Sequence, residues 1–141
     1  MLFRSKLSRY LPKGTFVIVC SGTVGIPSIL GVDACIHDGF LALTNISNDC
    51  SVDFLYYTFL PLQSKFDRSA THGGVFTNLT TSIIKDFVIA IPPVQEQEQI
   101  ASILTTVDDK LEVLQEKKGL FNTLKKGLMQ QLLTGQMRVK L

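Results

Sequence analysis

IPPVQEQEQIASILTTVDDKLEVLQEKKGLFNTLKKGLMQQLLTGQ, residues 91–136, decides how this chain is organised. An apolar run, Phe87–Ile91, meets Pro92-Pro93 and gives way to about forty residues with the period of a helix. Ile100, Leu104, Val107, Leu111 and Leu114 alternate steps of four and three, the apolar stripe of a coiled coil. The step is interrupted at Lys117-Lys118-Gly119 and resumes, slightly shifted, at Phe121, Leu124, Leu128 and Leu132. At 1.5 Å per residue such a helix spans roughly 60 Å. A domain of this size cannot bury it, so the stripe predicts pairing with another helix.

The rest of the chain sets limits. With 141 residues there is room for one ordinary domain beside the helix. A core built from about 80 to 90 residues is marginal. Hydrophobic residues make up 45% of the chain, which argues against a disordered tail. No apolar run approaches the ~18 residues that span a bilayer. The basic start, Arg4, Lys6 and Arg9, precedes only the short run Phe16–Cys20, so a secretory signal is not expected. Cys20, Cys35 and Cys50 form neither a C-x-x-C pair nor an even set, which predicts reduced thiols and a cytoplasmic location. The net charge of +2 is spread unevenly. Residues 1–10 carry +3, residues 11–91 carry four bases against six acids (−2), and residues 92–141 carry seven against six (+1). Charge alone does not suggest a nucleic-acid partner.

Short strands and one or two helices are expected ahead of the long helix. Thr15–Cys20 reads as a buried strand, Ser21-Gly22-Thr23-Val24-Gly25 as a turn, Ile26–Leu30 as a further apolar segment, and Gly39–Leu43 as another strand, closed by the turn residues Asn45, Ser47, Asn48 and Asp49. Ser51 is placed to cap a helix over Val52–Leu60 that Pro61 ends or kinks, or after which Pro61 starts the next turn. Ala70–Thr80 reads as a loop, Thr81 or Ser82 as the cap of one helical turn, and Phe87–Ile91 as a last strand. The class is α+β: a small, mixed, β-rich half-domain followed by a long C-terminal coiled-coil helix. The expected divisions are a basic lead (1–12), the half-domain (13–91), the helix (92–135) and a tail (136–141).

The long helix resembles that of type I restriction–modification specificity subunits. The resemblance is carried by Ile91, Pro92, Pro93, Gln97, Ile100, Ala101, Ile103, Leu104, Asp109 and Lys110. It continues at Leu124, Lys125, Lys126, Gly127, Leu128, Gln131, Leu132, Leu133, Thr134 and Gly135. Upstream, FVIVCSGTVG (16–25), VDFLYY (52–57) and ATHGGVFTNLTTSIIKDFVIAIPP (70–93) are similar to the strand and turn, middle helix and closing segment of the family's target-recognition domain. The family's domain usually begins well before this turn, and a full subunit carries two domains and two helices. The chain therefore looks like the C-terminal part of one recognition domain plus its helix: a fragment, a late-called reading frame or a compact half-subunit.

The Gly turn lacks the lysine of a phosphate-binding loop and the spacing of a dinucleotide fingerprint, and a tight turn is its simpler reading. The loop Thr71–Asn78 offers hydrogen-bonding side chains beside a Gly pair that lets backbone approach a ligand. The resemblance directs both segments toward DNA, with Ser21, Gly22, Thr23, Thr71, His72, Gly73, Gly74, Thr77 and Asn78 as candidate contacts and Arg68 and Lys85 as phosphate partners. His37-Asp38, on a strand, would point to opposite faces. No nucleophile–base–acid set, methyl-transfer motif, nuclease cluster or ATP site is legible, so the chain is expected not to be an enzyme and to bind no metal or cofactor.

The resemblance implies a DNA sequence-recognition component that directs methyltransferase and restriction subunits to a bipartite double-stranded target. Those partners would use S-adenosylmethionine, ATP and magnesium. The helix, through Ile100, Leu104, Val107, Leu111, Leu114, Phe121, Leu124, Leu128 and Leu132, would pair with a second copy or another specificity chain. The competing expectation is a truncated, non-reading interaction module that binds methyltransferase or specificity subunits through its helix.

Overall fold

The computed structural model describes residues 8–73 and 76–140. Arg4, Lys6 and Gly74, named above, lie outside the described residues. Two compact units are resolved, one up to Ala101 and one from Ser102 onward.

Strand β2 (Phe16–Val19) is the centre of the first unit, paired antiparallel with β3 (Pro27–Ile29) on one side and β5 (Phe40–Leu43) on the other. Its continuous apolar sequence follows from burial on both faces. Phe16 and Ile18 are fully buried against helix α1 (Val52–Phe59), helix α2 (Gln63–Ser69) and their neighbours Leu55, Phe59 and Phe66. Val17 points the other way, into a smaller cluster with Leu11 and Ile36. Those two residues come from β1 (Arg9–Leu11) and β4 (Ala34–Ile36), a two-stranded antiparallel sheet that the sequence reading missed. Three-residue strands are too short to display a period. Asp33 ties this corner together, accepting from the Tyr10 hydroxyl and the Lys13 amide at 2.8 Å each. Those bonds hold its carboxyl below the usual range, the Lys13 amide contributing most. β3 is an edge strand, which is why it tolerates Pro27.

Ser51 caps α1 as expected, its hydroxyl accepting from the Phe54 amide at 3.4 Å. Of the roles expected for Pro61, the structure shows the start of the next turn. Pro61 occupies the first turn of a 3-10 segment, Leu60–Leu62, that leads straight into α2. Phe66 from α2 fills the space beneath the Gly turn. A Cβ on Gly25 would lie 2.8 Å from that of Phe66, and Gly25 has φ +83°, so no side chain fits there.

Three further expectations are corrected. Residues 71–78 form a hairpin, β6 (Thr71–Gly73) with β7 (Phe76–Asn78), where a loop was expected. Thr80, rather than Thr81 or Ser82, caps helix α3 (Thr81–Lys85), accepting from the Ile83 amide. Phe87–Ile91 is not a strand. It has the alternation of one, with Phe87 and Ile89 against the core and Val88 96% exposed, but no strand among the described residues pairs with it.

Helix α4 (Val94–Leu133) runs for 40 residues. The Pro93 carbonyl accepts from the Glu96 and Gln97 amides at its start. Its first turns belong to the first unit and are fixed there by Gln97, which is fully buried. The Gln97 Oε1 accepts from the Ser51 amide at 2.8 Å, while Nε2 donates to the carbonyls of Asp49 (2.8 Å) and Pro92 (2.7 Å). One neutral side chain thus satisfies three backbone groups, two at the entry to α1 and one just before α4. Gly135, at φ +75°, terminates the helix, with the Met137 amide closing back on the Gln131 carbonyl at 3.0 Å. Gly119 and Gly127 lie inside α4 and face open space.

Candidate functional site

Cys20, at the end of β2, laces three segments together. Its amide donates to the Gly39 carbonyl and its carbonyl accepts from the Leu79 amide, both at 2.9 Å. Its thiol donates to the Asp38 carbonyl at 3.2 Å. Burial first, and the Asp38 carboxylate second, push that thiol's pKa up and so keep the proton it donates. Immediately beyond, Ser21 and Asn78 form an isolated antiparallel bridge. The Gly turn, the turn after β4 and the end of the hairpin therefore converge. Between them lies an open cleft of about 420 Å³, lined by Val19, Ser21, His37, Asp38, Gly39, Phe40 and Asn78.

The His37–Gly39 turn was not expected here. These residues lie beyond the end of β4, so His37 and Asp38 are not sent to opposite faces as on a strand: His37 Nδ1 sits 3.4 Å from Asp38 Oδ1. The Gly39 amide donates to His37 Nδ1 at 2.9 Å, and the Phe40 ring meets the imidazole edge-on at 5.2 Å. A Cβ on Gly39 would come 2.5 Å from the imidazole, so glycine is what lets the ring fold back over the chain. The Asp-Gly pair was the available signal, since it marks a turn rather than a strand.

The family model described as "Type I restriction modification DNA specificity domain" matches residues 5–120. The chain belongs to that family. It is 30% identical over 106 residues to the type I restriction enzyme MjaIX specificity subunit of Methanocaldococcus jannaschii, covering 74% of this chain and 24% of that protein. The MjaVIII specificity subunit of the same organism is 33% identical over 81 residues, 57% of this chain and 19% of that protein. An S subunit of a type I restriction-modification system from M. genitalium shares the fold with a TM-score of 0.67 at 19% identity, over 87% of this chain and 33% of that one. A chain solved in work on complex assembly and conformational transition of the type I R-M system gives 0.74 at 20% identity, over 86% and 30%. This specificity-domain chain thus spans about a third or less of the length of the relatives it matches.

Within this family member the expected contact residues are dispersed. Ser21 and Asn78 line the cleft, while Gly22 and Thr23 are exposed on the turn beside it. Thr71, His72, Gly73 and Thr77 lie on the hairpin, in the register Thr71↔Asn78, His72↔Thr77 and Gly73↔Phe76. Arg68 is exposed on α2, its Nε donating to the Ser64 carbonyl at 3.0 Å, and Lys85 is exposed in the last turn of α3; neither lines the cleft. Among the described residues no three His, Cys, Asp or Glu side chains converge as metal ligands would, and no helix is long and apolar enough to cross a membrane.

In the second unit the apolar stripe of α4 lies open. Ile100 is half-buried in the first unit, but Leu104, Val107, Leu111, Leu114, Phe121, Leu124, Leu128 and Leu132 are all exposed. Phe121, Leu124, Leu128, Met129 and Leu132 border a groove of about 560 Å³. The charge of α4 is divided: Glu96, Glu98, Asp108, Asp109, Glu112 and Glu116 face only Lys110 in residues 94–116, whereas residues 117–133 carry Lys117, Lys118, Lys125 and Lys126 and no acid.

Proposed function

We propose that this chain is a non-catalytic DNA-recognition component of a type I restriction–modification enzyme. It directs methyltransferase and restriction subunits, which use S-adenosylmethionine, ATP and magnesium, to a bipartite double-stranded target in the cytoplasm. The observation that carries this reading is the convergence of the Gly turn and the hairpin end at the Ser21–Asn78 bridge, within a sequence that the DNA specificity family matches over most of its length.

The second half of the reading is that two copies pair through α4. The stripe supports this because its spacing is symmetric: Val107, Leu111 and Leu114 are separated by four and three, Phe121, Leu124 and Leu128 by three and four. Two antiparallel helices centred between Lys117 and Lys118 bring Val107 against Leu128, Leu111 against Leu124 and Leu114 against Phe121 of the other copy. The same alignment sets the acidic half of each helix along the basic half of the other, whereas a parallel pair would align like charges. A two-fold pair would read a two-fold related target, with the helix setting the distance between half-sites.

The test is a map of methylated adenines after co-expression with the neighbouring methyltransferase subunit in a methylation-free host. A new bipartite motif is the expected result. The double variant Thr77→Ala/Asn78→Ala is expected to lower selective methylation of that motif about tenfold; unaltered selectivity would remove the hairpin from the interface. The second reading, a non-reading module that binds other subunits through its helix, is favoured by the excess of acids in residues 11–91. It predicts a co-purifying complex with no motif of its own.

A further inference from the structure

His37 and Asp38 belong to neither the Gly turn nor the hairpin, yet they form one wall of the cleft where those two segments meet. Their backbone is tied to the end of β2 by hydrogen bonds. The Cys20 amide and thiol pin the carbonyls of Gly39 and Asp38, and the Gly39 amide pins the imidazole itself. Despite that, both side chains are largely open, at 68% and 103% of full side-chain exposure. A rigid backbone that presents open polar groups is the arrangement a recognition site needs.

The hydrogen-bonding character of the pair follows from the same contacts. In the neutral imidazole, Nδ1 accepts from the Gly39 amide, so the proton sits on Nε2, which donates. The Asp38 carboxylate only accepts. The turn therefore offers one oriented donor and one acceptor on adjacent residues, beside Ser21 and Asn78. In the major groove a carboxylate accepts from the exocyclic amine of cytosine, and a donor matches the N7 or O6 of guanine. A carboxylate facing DNA works against phosphate contact, so its placement here suits the reading of a base rather than general affinity.

We propose that His37 and Asp38 determine specificity, reading the edge of one C·G or neighbouring base pair in double-stranded DNA through the cleft they share with Ser21 and Asn78. This rests on the DNA-reading function proposed above. The test is selection from a randomised duplex library by the full chain, with wild type, Asp38→Asn, Asp38→Ala and His37→Gln side by side. Wild type should enrich a defined motif. The Asp38 variants should lose preference at a single position, about tenfold, with the rest of the motif intact, and His37→Gln should relax the same or the adjacent position. Binding to unselected duplex should hold steady or rise for Asp38→Ala, because a negative charge is removed. The same motif, equally strict at every position in all variants, overturns the proposal. So does a uniform loss across all sequences, which would make the turn merely structural. A wild type that enriches nothing defeats the DNA-reading function itself, and is told apart because it needs no variant. The Asp38 side chain is fully exposed, so unchanged melting temperatures are expected for the Asp38 variants.

Discussion

Gln97→Ala should cost the first unit about 3 kcal/mol of stability and lower its melting temperature by roughly 10–20 °C. The side chain is fully buried and makes three hydrogen bonds, to Ser51, Asp49 and Pro92. Removing it strands one amide and two carbonyls, and each unpaired buried group costs about 1–3 kcal/mol unless water reaches it. A domain with a total stability of about 5–15 kcal/mol feels such a loss strongly. The chain has three tyrosines and no tryptophan, so near-ultraviolet dichroism of the tyrosines is the suitable probe. Melting within about 2 °C of wild type would show that Gln97 is not the anchor described. Gln97→Glu provides a signed control. Its carboxylate still accepts from Ser51 but faces two carbonyls it cannot satisfy, so burial raises its folded-state pKa above the unfolded value. A raised carboxyl destabilises the fold at neutral pH, and the deficit shrinks as pH falls and the group becomes a donor. Stability relative to wild type should therefore recover on acidification for the Glu variant and stay flat for the Ala variant.

Leu111→Asp should weaken self-association roughly hundredfold or more and halve the mass measured by light scattering at micromolar concentration. In the antiparallel pairing proposed, each assembly contains two Leu111–Leu124 layers, so a single substitution buries two carboxylates in an apolar seam. The alignment makes a second, stricter demand. Adding Leu124→Lys places an ammonium opposite each new carboxylate and should restore much of the association. An unchanged mass for Leu111→Asp would rule out the stripe as the seam. A double variant as dissociated as the single one would leave the stripe in use but move its centre away from Lys117–Lys118.

The parts of the fold that sequence reading anticipated are those with a strong local cause. The period of α4, the hydroxyl of Ser51 ahead of an apolar run and the β-branched run of β2 each act over a few neighbouring residues. What escaped depends on partners distant in sequence. Arg9–Leu11 is a strand because Ala34–Ile36 lies beside it, and Phe87–Ile91 is not one because no strand among the described residues pairs with it. The cleft escaped for the same reason. Ser21 and Asn78 were legible as candidates, but the bridge between them joins residues 57 positions apart. His37 and Asp38 were weighed only as a pair on a strand, and the structure places them in the turn beyond β4. Gln97 stood out in the sequence only as part of a resemblance, and its role became visible once Asp49, Ser51 and Pro92 were seen around it.

Gly119 and Gly127 give the long helix a property beyond reach and spacing. Each glycine in an exposed helix interior weakens it by about 1 kcal/mol relative to alanine, and neither here gains a packing contact in return. Gly119 lies next to the proposed two-fold centre, where a mate would cover the backbone it leaves bare. The second half of α4 is therefore expected to be the least stable part of the helix in the isolated chain, and to gain most from the pairing proposed. If two copies pair as proposed, its order is expected to depend on protein concentration, with helix content rising along the same binding curve as molecular mass. Folding of the spacer and counting of the copies would then be one equilibrium, and a chain without its mate would lack the rigid rod that the proposed reading uses to set a distance on DNA.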